Sequence, residues 1–415
     1  MTAPRTDTPM AESVNAAALV ALTDAQARSV VSAASSAPSI HNTQPWLWVN
    51  AAGGLDLYAD PARHLPVADP TGQQLLISCG AALLHARLAI HSLGLTAQVT
   101  LCPSGDAQVA AGDLPAATLR IVGEQPLAGD DQRLVDAIPA RHTDRRPFSS
   151  LRVPEAVIDA LRLDAEREGA WLVALDTPDQ RIDTAVLTAR ADWLETRDPA
   201  YQAELQRWTR IGDDDAVDGI PRDVVAASRE ARATEVVMRD FNATNRTNPA
   251  DSALAPTDVE RPTVLLIGTD SDNPRAQLMA GQALERVLLD ATSRGLAASP
   301  LGQAIDVAST RTLLANTVGG LGRVQMLIRI GYPQPGAAPL PATPRRDTSE
   351  ILTTHPARRN RDGFRKAVIA GTWSAGKPWT RWPRRGGRRS EAQPREPGTG
   401  ASLPSPRAPG VVSRS

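Results

Sequence analysis

The chain contains little cysteine and few aromatic residues. Two of its 415 residues are cysteine, and Phe, Trp and Tyr together make up 3% of the sequence. Two cysteines cannot form a disulfide framework, and Cys79 and Cys102 lack the spacing of metal ligands. We therefore expect no metal site, and we expect both cysteines to be buried in a core built mainly from Ala, Leu, Val and Ile.

Long apolar segments are also missing. No apolar run approaches the ~20 residues that span a bilayer, and residues 1–15 carry no apolar stretch of the kind found in secretory signals. These absences predict a protein of the reducing cytoplasm without a membrane segment.

Charge is divided unevenly along the chain. Residues 355–415 contain 14 Lys and Arg against 3 Asp and Glu, a balance of +11, and because the whole chain carries −1 the remainder carries −12. An acidic body argues against a nucleic-acid-binding core. The basic tail is rich in Arg, Pro and Gly without hydrophobic periodicity, which predicts disorder. Its composition fits a shifted reading frame and a tail that binds acidic surfaces equally well.

The 415 residues are enough for two or three domains, and hydrophobic periodicity predicts helices mixed with strands. The predicted helices cover residues 24–36, 73–93, 131–138, 178–194, 200–211, 222–240 and 274–294, with a further helix opening at residues 153–156. The predicted strands cover residues 46–49, 55–59, 97–101, 117–122, 171–175, 263–268 and 324–331.

The most distinctive segment is PSIHNTQPW at residues 38–46, between the first predicted helix and the first predicted strand. Prolines restrict the backbone at both ends. The side chains between them can all hydrogen-bond except one: Ser39, His41, Asn42, Thr43 and Gln44. This composition suits a loop that binds a polar planar ligand, and an ordinary polar turn would account for the same residues.

This loop resembles the Pro-Ser-x-x-Asn-x-Gln-Pro-Trp loop of flavin-dependent nitroreductases. A second segment, RHTDRRPF at residues 141–148, resembles the phosphate-binding segment of the same family. The order of the motifs is most similar to the Acg-type nitroreductases, over about residues 23–352. The resemblance implies an α+β nitroreductase-like fold that binds FMN. Its flavin-contacting loop residues would be Pro38, Ser39, Ile40, Asn42 and Gln44.

The resemblance also implies where the two ends of FMN lie. The phosphate would meet Arg141, His142, Thr143 and Arg145, together with the later basic pair Arg345 and Arg346, and guanidinium groups suit phosphate oxygens. Residues 298–302 resemble a turn that approaches flavin N5 through Pro300, Leu301 and Gly302. An ordinary turn between two helices would account for the same residues. No catalytic side chain is required, because N5 itself carries the hydride, and we assign His41 no such role.

Two stretches of the chain repeat at an offset of 201 residues. Gly80, Ala82, Leu83, Leu88, Gly94 and Leu95 match Gly281, Ala283, Leu284, Leu289, Gly295 and Leu296. An internal duplication explains this pattern, and chance matching of abundant Ala and Leu is the alternative.

A duplication would make the chain a single-chain pseudo-dimer. In the classical nitroreductases that the chain resembles, two subunits form a homodimer and each FMN lies between them. Here the polar loop occurs only in the first half and the phosphate segment only in the second, and residues 164–169, the helix-to-strand loop matching residues 37–46, lack the motif. We therefore predict one FMN per chain, in a monomer that could oligomerise further. The predicted organisation is a flexible start (1–22), two halves (23–129 and 130–354) and the tail (355–415).

Two functions follow from the resemblance. The first is hydride transfer from NAD(P)H, as co-substrate, through flavin N5 to nitroaromatic or quinone-like acceptors. The alternative is a flavin-binding or flavin-sequestering protein with little turnover. Residues 205–232 have no counterpart in the repeat, and Trp208 and Ile220 flank an acidic loop with Gly212 and Gly219, which suits a lid. An ordinary helical hairpin packed elsewhere is the competing interpretation.

Overall fold

The structure is a computed structural model that describes residues 21–127, 129–210, 215–221 and 260–354. The start of the chain up to residue 20, the helix expected over residues 222–240, Gly212 and the basic tail from residue 355 lie outside the described residues.

The first half builds a five-stranded sheet. Helix α1 (Asp24–Ser35) begins at a capping box in which Thr23 accepts from Gln26 N–H. A 3₁₀ turn at Ile40–Asn42 leads to the hairpin. The elements that follow are β1 (Trp46–Ala51), β2 (Gly54–Ala59), α2 (Gln73–Ser92), β3 (Leu95–Leu101) and β4 (Ala117–Glu124). A last strand of the described chain, β11 (Leu352–Thr354), returns to pair with β1 in parallel, and the spatial order is β11-β1-β2-β4-β3.

The second half builds a four-stranded sheet and carries an insertion. It begins with α3 (Asp130–Ala137), α4 (Glu155–Arg167), β5 (Trp171–Ala174), α5 (Pro178–Glu195) and α6 (Pro199–Trp208). A short parallel pair follows, β6 (Thr209–Arg210) with β7 (Ile220–Pro221). The remaining elements are β8 (Thr263–Thr269), α7 (Pro274–Ser293), β9 (Ala297–Leu301), α8 (Gln303–Asp306), α9 (Ala308–Thr317), β10 (Arg323–Gly331) and α10 (Thr348–Ile351).

The two sheets share one topology. The second sheet has the order β5-β8-β10-β9, and the first has β1-β2-β4-β3 beside β11. In both sheets the spatial order is the first, second, fourth and third strand of that half. All of these neighbours are antiparallel. In each half a helix of 20 residues precedes the third strand. The fold is therefore α+β with two fused halves of the same design, as predicted.

The two long helices α2 and α7 pack against each other at the repeated glycines. A Cβ built on Gly80 would lie 2.9 Å from the Cα of Gly281, and the converse distance is the same. Only a residue without a side chain allows this approach. Helix α2 is buried on nearly every face, as expected of a central core helix. This helix is long and apolar enough to cross a membrane, but 78% of its apolar stretch is buried inside the protein.

Two local predictions are wrong. Residues 298–302 do not form a turn: they lie largely in strand β9, where Pro300 faces Ile328 of β10. Strand β9 lies at the edge of its sheet, where a proline costs no ladder hydrogen bond. Residues 164–167 are not loop either, because α4 continues to Arg167 and ends before Gly169, which has φ +80°. Both cysteines are buried, as predicted.

Candidate functional site

A pocket that is open at its mouth is lined by residues of both halves, and its empty space, including solvent at the mouth, is about 770 Å³. Pro38, Ser39, Ile40, Thr143, Arg145, Pro300, Leu301 and Gly302 are the predicted site residues that line it. Three segments that the sequence singled out, separated by more than 250 residues between the first and the last, therefore meet at one place. Asn42, Gln44, Arg141, His142, Arg345 and Arg346 are the predicted site residues outside this lining.

Other lining residues were not anticipated. They are His41, Gln74, Ile77, Ser78, Ala81, Leu284, Gln303, Asp306 and Met326. Gln74, Ile77, Ser78 and Ala81 recur at helical spacing on one face of α2. Gln74 and Ser78, two polar residues four positions apart in a mostly apolar helix, are the sign of this face that the sequence offered.

The polar loop is held in a strained conformation. His41, Asn42 and Gln44 have φ values of +46°, +53° and +50°, a region that costs energy for residues with side chains. Ser39 Oγ accepts from Gln44 N–H at 2.9 Å. The loop is attached to α2, since Ile40 N–H donates to Ser78 Oγ at 3.1 Å. These bonds direct Ser39 and Ile40 to the pocket wall.

The amides of Asn42 and Gln44 bind protein groups. Asn42 Nδ2 donates to Gly219 O at 3.1 Å. Gln44 is fully buried, donates to Val217 O at 2.8 Å and accepts from Arg346 N–H at 2.8 Å. The loop thus fixes residues 215–221, which we call the strap, to the chain around Arg346.

Two arginines converge on the C-terminal end of α1. Arg345 Nε donates to Ser35 O at 2.8 Å, and Arg345 and Arg141 both reach Ser36 O, at 3.3 and 3.4 Å. A helix C-terminus attracts positive charge. Burial, and then the charge of Arg141, lower the pKa of Arg345 to about 10. Burial and the same two arginines lower the pKa of His142, which favours its neutral form at pH 7. Glu285 Oε1 lies 3.2 Å from Arg141 Nε, so one carboxylate faces two arginines, and a further anion would relieve the remaining positive charge.

The segment carrying Arg141 is fixed to the second sheet. Asp144 N–H donates to Ala298 O of β9 at 2.8 Å. Arg329 of β10 also holds this segment: it is fully buried, pairs with Glu260 at 2.9 Å and donates to Arg146 O at 2.8 Å. Arg146 itself pairs with Asp144 at 2.7 Å, so its charge is compensated locally.

Acidic groups lie beside the pocket wall formed by α2. Gln74 Nε2 donates to Asp306 Oδ1 at 2.9 Å. Asp69 is buried, accepts from Leu75 N–H at 2.9 Å, and burial raises its pKa to about 7. Among the described residues, no group of three or more His, Cys, Asp and Glu could hold a metal ion.

The strap lies directly against the polar loop. Gly219 N–H donates to Asn42 O at 3.2 Å, and Asp218 accepts from Arg63 at 2.8 Å and from Arg210 at 2.7 Å. Ile220 packs in a cluster with Leu65, Tyr201 and Leu205, against which Ile40 also packs. The described part of the predicted lid is therefore anchored beside the pocket-lining loop.

These features define a class of protein: two fused α+β halves with a ligand pocket between them and a buried cationic cluster beside it. No protein-family model matches the chain. It is 36% identical over 329 residues to "Putative NAD(P)H nitroreductase Rv3131" of Mycobacterium tuberculosis, covering 78% of this chain and 90% of that protein. It is 33% identical to "Putative NAD(P)H nitroreductase acg" of the same organism, covering 78% and 94%. The chain belongs to this family of NAD(P)H nitroreductases.

Solved structures resemble the chain more distantly. The FMN-dependent nitroreductase NfnB from Mycobacterium smegmatis in complex with NADPH is 19% identical, with 55% of this chain and 99% of that chain covered and a TM-score of 0.32. A "putative nitroreductase" from Anabaena variabilis is 12% identical, with 76% of this chain and 90% of that chain covered and a TM-score of 0.37. Family membership therefore rests on the sequence relatives.

Proposed function

We propose that the chain binds FMN in this pocket and uses it as an NAD(P)H-dependent oxidoreductase for nitroaromatic or quinone-like acceptors. The isoalloxazine ring would contact residues 38–40 and 300–302, and the phosphate would lie toward Arg141 and Arg345 with Thr143 and Arg145 nearby. Membership of the NAD(P)H nitroreductase family and the two flavin-type motifs at residues 38–46 and 141–148 support the choice of cofactor.

The observation that carries the proposal is the buried arginine pair. Arg141 is 7% exposed, and its charge lowers the pKa of Arg345. Glu285 supplies one carboxylate beside Arg141, and two buried positive charges that face a single carboxylate still cost free energy unless a further anion joins them. A phosphate monoester carries nearly two negative charges at pH 7. The residues present therefore fit the phosphate end of FMN.

The pocket suits the ring end as well. Bound flavin would supply hydride acceptance and donation at N5. The chain would contribute apolar walls through Ile40, Leu301 and Met326, which exclude water from the ring. Gly302 allows the Asp306 carboxylate to pack against the backbone at the pocket wall, since a Cβ there would lie 2.8 Å from Asp306 Oδ2.

The test is the visible spectrum of the purified, FMN-reconstituted chain, followed without oxygen as NADPH is added. We expect a bound-flavin spectrum whose absorbance band bleaches on reduction and returns when a nitroaromatic is added. A chain that retains no FMN after reconstitution would contradict the binding proposal, and bound FMN that NADPH does not bleach would contradict the reductase activity.

The strap favours a second candidate, a flavin-sequestering protein. Its contacts with Asn42 and Gln44 anchor residues 215–221 beside the loop that would contact the ring. If the strap shields the ring, nicotinamide and acceptor cannot stack on it. Asp218→Ala removes the carboxylate that holds Arg63 and Arg210 and should then accelerate reduction by NADPH. Asp215→Ala, in the same segment, is the matched control. Rapid reduction of the unaltered chain, unchanged in Asp218→Ala, would favour the ordinary reductase.

A further inference from the structure

A fully buried pair, His85 of α2 and Glu285 of α7, lies beside the arginine cluster. His85 Nε2 is 2.7 Å from Glu285 Oε1, and both side chains have no exposed surface. His85 Nδ1 lies 3.0 Å from Ala33 O in the last turn of α1. Arg141 Nε is 3.2 Å from the same oxygen of Glu285 but is not oriented to donate a hydrogen bond to it. Glu285 thus connects the centre of the α2–α7 contact to Arg141.

The hydrogen-bond partners decide how many protons the pair holds. Ala33 O is a carbonyl and can only accept, so Nδ1 must carry a hydrogen. A proton must then also lie between Nε2 and Glu285 Oε1, on one atom or the other, because two lone pairs at 2.7 Å would repel. Either placement gives the same number of protons and the same net charge. The pair is an imidazolium beside a carboxylate, or a neutral imidazole beside a carboxylic acid. The pair is therefore neutral as a unit.

Neutrality of this pair determines the charge of the cluster. Glu285 is the carboxylate whose charge opposes the lowering of the Arg345 pKa, and it is the acid paired with Arg141. Because His85 already compensates Glu285, the two arginines keep two positive charges between them. The Ala33 carbonyl of α1 also faces the pair, and beyond Arg141 lies the half-buried His142, whose pKa is lowered by burial and by the charges of Arg141 and Arg345.

We propose that His85 is a positioning and charge-setting residue of the phosphate site, which acts by neutralising Glu285 and so reserves Arg141 and Arg345 for a phosphate dianion. Nothing in the lining of the pocket suggests this role, since His85 touches neither the pocket nor a ligand. The inference rests on the proposed function, because it requires a phosphate at the arginine pair.

Three variants of the full chain test the inference: His85→Gln, Glu285→Gln and the double variant. For each, the affinities for FMN and for riboflavin are measured by flavin fluorescence titration of the flavin-free protein. Their ratio isolates the contribution of the phosphate and is insensitive to a general loosening of the ring pocket. His85→Gln leaves an ionised Glu285 that competes for Arg141, and we expect the ratio to fall by about tenfold or more.

The other two variants should behave differently. Glu285→Gln keeps two positive charges and a satisfied His85, so the ratio should stay unchanged. The double variant removes both the base and the acid, so the ratio should recover. A purely structural role for His85 predicts that the double variant is as poor as His85→Gln, and that result would overturn the inference.

If His85→Gln does not fold, Glu285→Gln alone still tests the inference. If Glu285 were an ionised partner of Arg141, removing its charge would raise the FMN to riboflavin ratio, and such a rise would overturn the neutral-pair assignment. Equal binding of FMN and riboflavin by the unaltered chain would instead contradict the phosphate site of the proposed function, and the inference with it.

Discussion

Arg141 and Arg345 show how single residues create the site. Each donates to carbonyls at the end of α1, yet hydrogen bonds to neutral carbonyls leave both positive charges in place. Burial then makes the charges costly, as the lowered pKa of Arg345 indicates. The proposed phosphate site is thus built from two residues 204 positions apart in the sequence.

Arg141→Ala should weaken FMN binding by roughly 1.5–3 kcal/mol, the range for hydrogen bonds to charged groups. Riboflavin binding should change much less, because it lacks the phosphate. The measurement is fluorescence titration with both flavins. Arg28→Ala, at an exposed position of α1, is the matched control. Equal losses of FMN affinity in the two variants would refute the assignment of Arg141.

Asp69 predicts a pH dependence of stability. Burial raises its pKa to about 7 in the folded chain, against about 3.9 in an unfolded chain. The folded state therefore binds more protons between about pH 4 and 7, and stability falls as pH rises through this window. Asp69→Asn should flatten this slope, which amounts to at most roughly 4 kcal/mol. Urea unfolding at several pH values measures it.

The control for Asp69 is Asp159→Asn, whose carboxyl on α4 is 56% exposed. It should leave the slope between pH 4 and 7 as it is in the unaltered chain. A slope that persists in Asp69→Asn would show that other groups determine it.

Among the secondary structure elements, the contact between α2 and α7 joins the halves. Gly80 and Gly281 allow the two backbones to touch, and the same two helices supply pocket residues and the His85–Glu285 pair. The close contact therefore also sets the geometry of the site.

Gly281→Ala should destabilise the chain, although alanine favours a helix by ~1 kcal/mol over glycine. The new Cβ would lie 2.9 Å from Gly80 Cα and 2.8 Å from the Ile77 carbonyl carbon, so the helices must separate, at a cost of typically 1–3 kcal/mol or more. The free energy of unfolding in urea gives the sign. A stabilised variant would mean that the helices do not pack at this glycine.

For the whole molecule, equal topology of the two halves does not give two equal sites. The polar loop after α1 has no equivalent after α4, where the connection to β5 is short. There Glu168 pairs with Arg286 at 2.9 Å and with Arg87 at 2.5 Å. Glu168 thus pairs with the arginines near the connection from α4 to β5, where a second site would lie.

One FMN per chain is the expected stoichiometry. Flavin released by heating the reconstituted protein, divided by protein concentration, measures it. A ratio of two would contradict the loss of the second site and the single-chain pseudo-dimer interpretation. The same protein taken through the procedure without added FMN is the control for flavin carried over from purification.

The sequence by itself determined most helices and strands, the repeat at 201 residues and the segments that line the pocket, because turn prolines, periodicity and motif residues act over short distances. Tertiary structure decided the rest. Residues 298–302 became an edge strand because β10 offered a partner. The Asn42 amide donates to Gly219 O and the Gln44 amide donates to Val217 O, and the α2 face that carries Gln74 and Ser78 became a pocket wall. The pairing of His85 with Glu285 depends on how two helices cross, which no local pattern encodes.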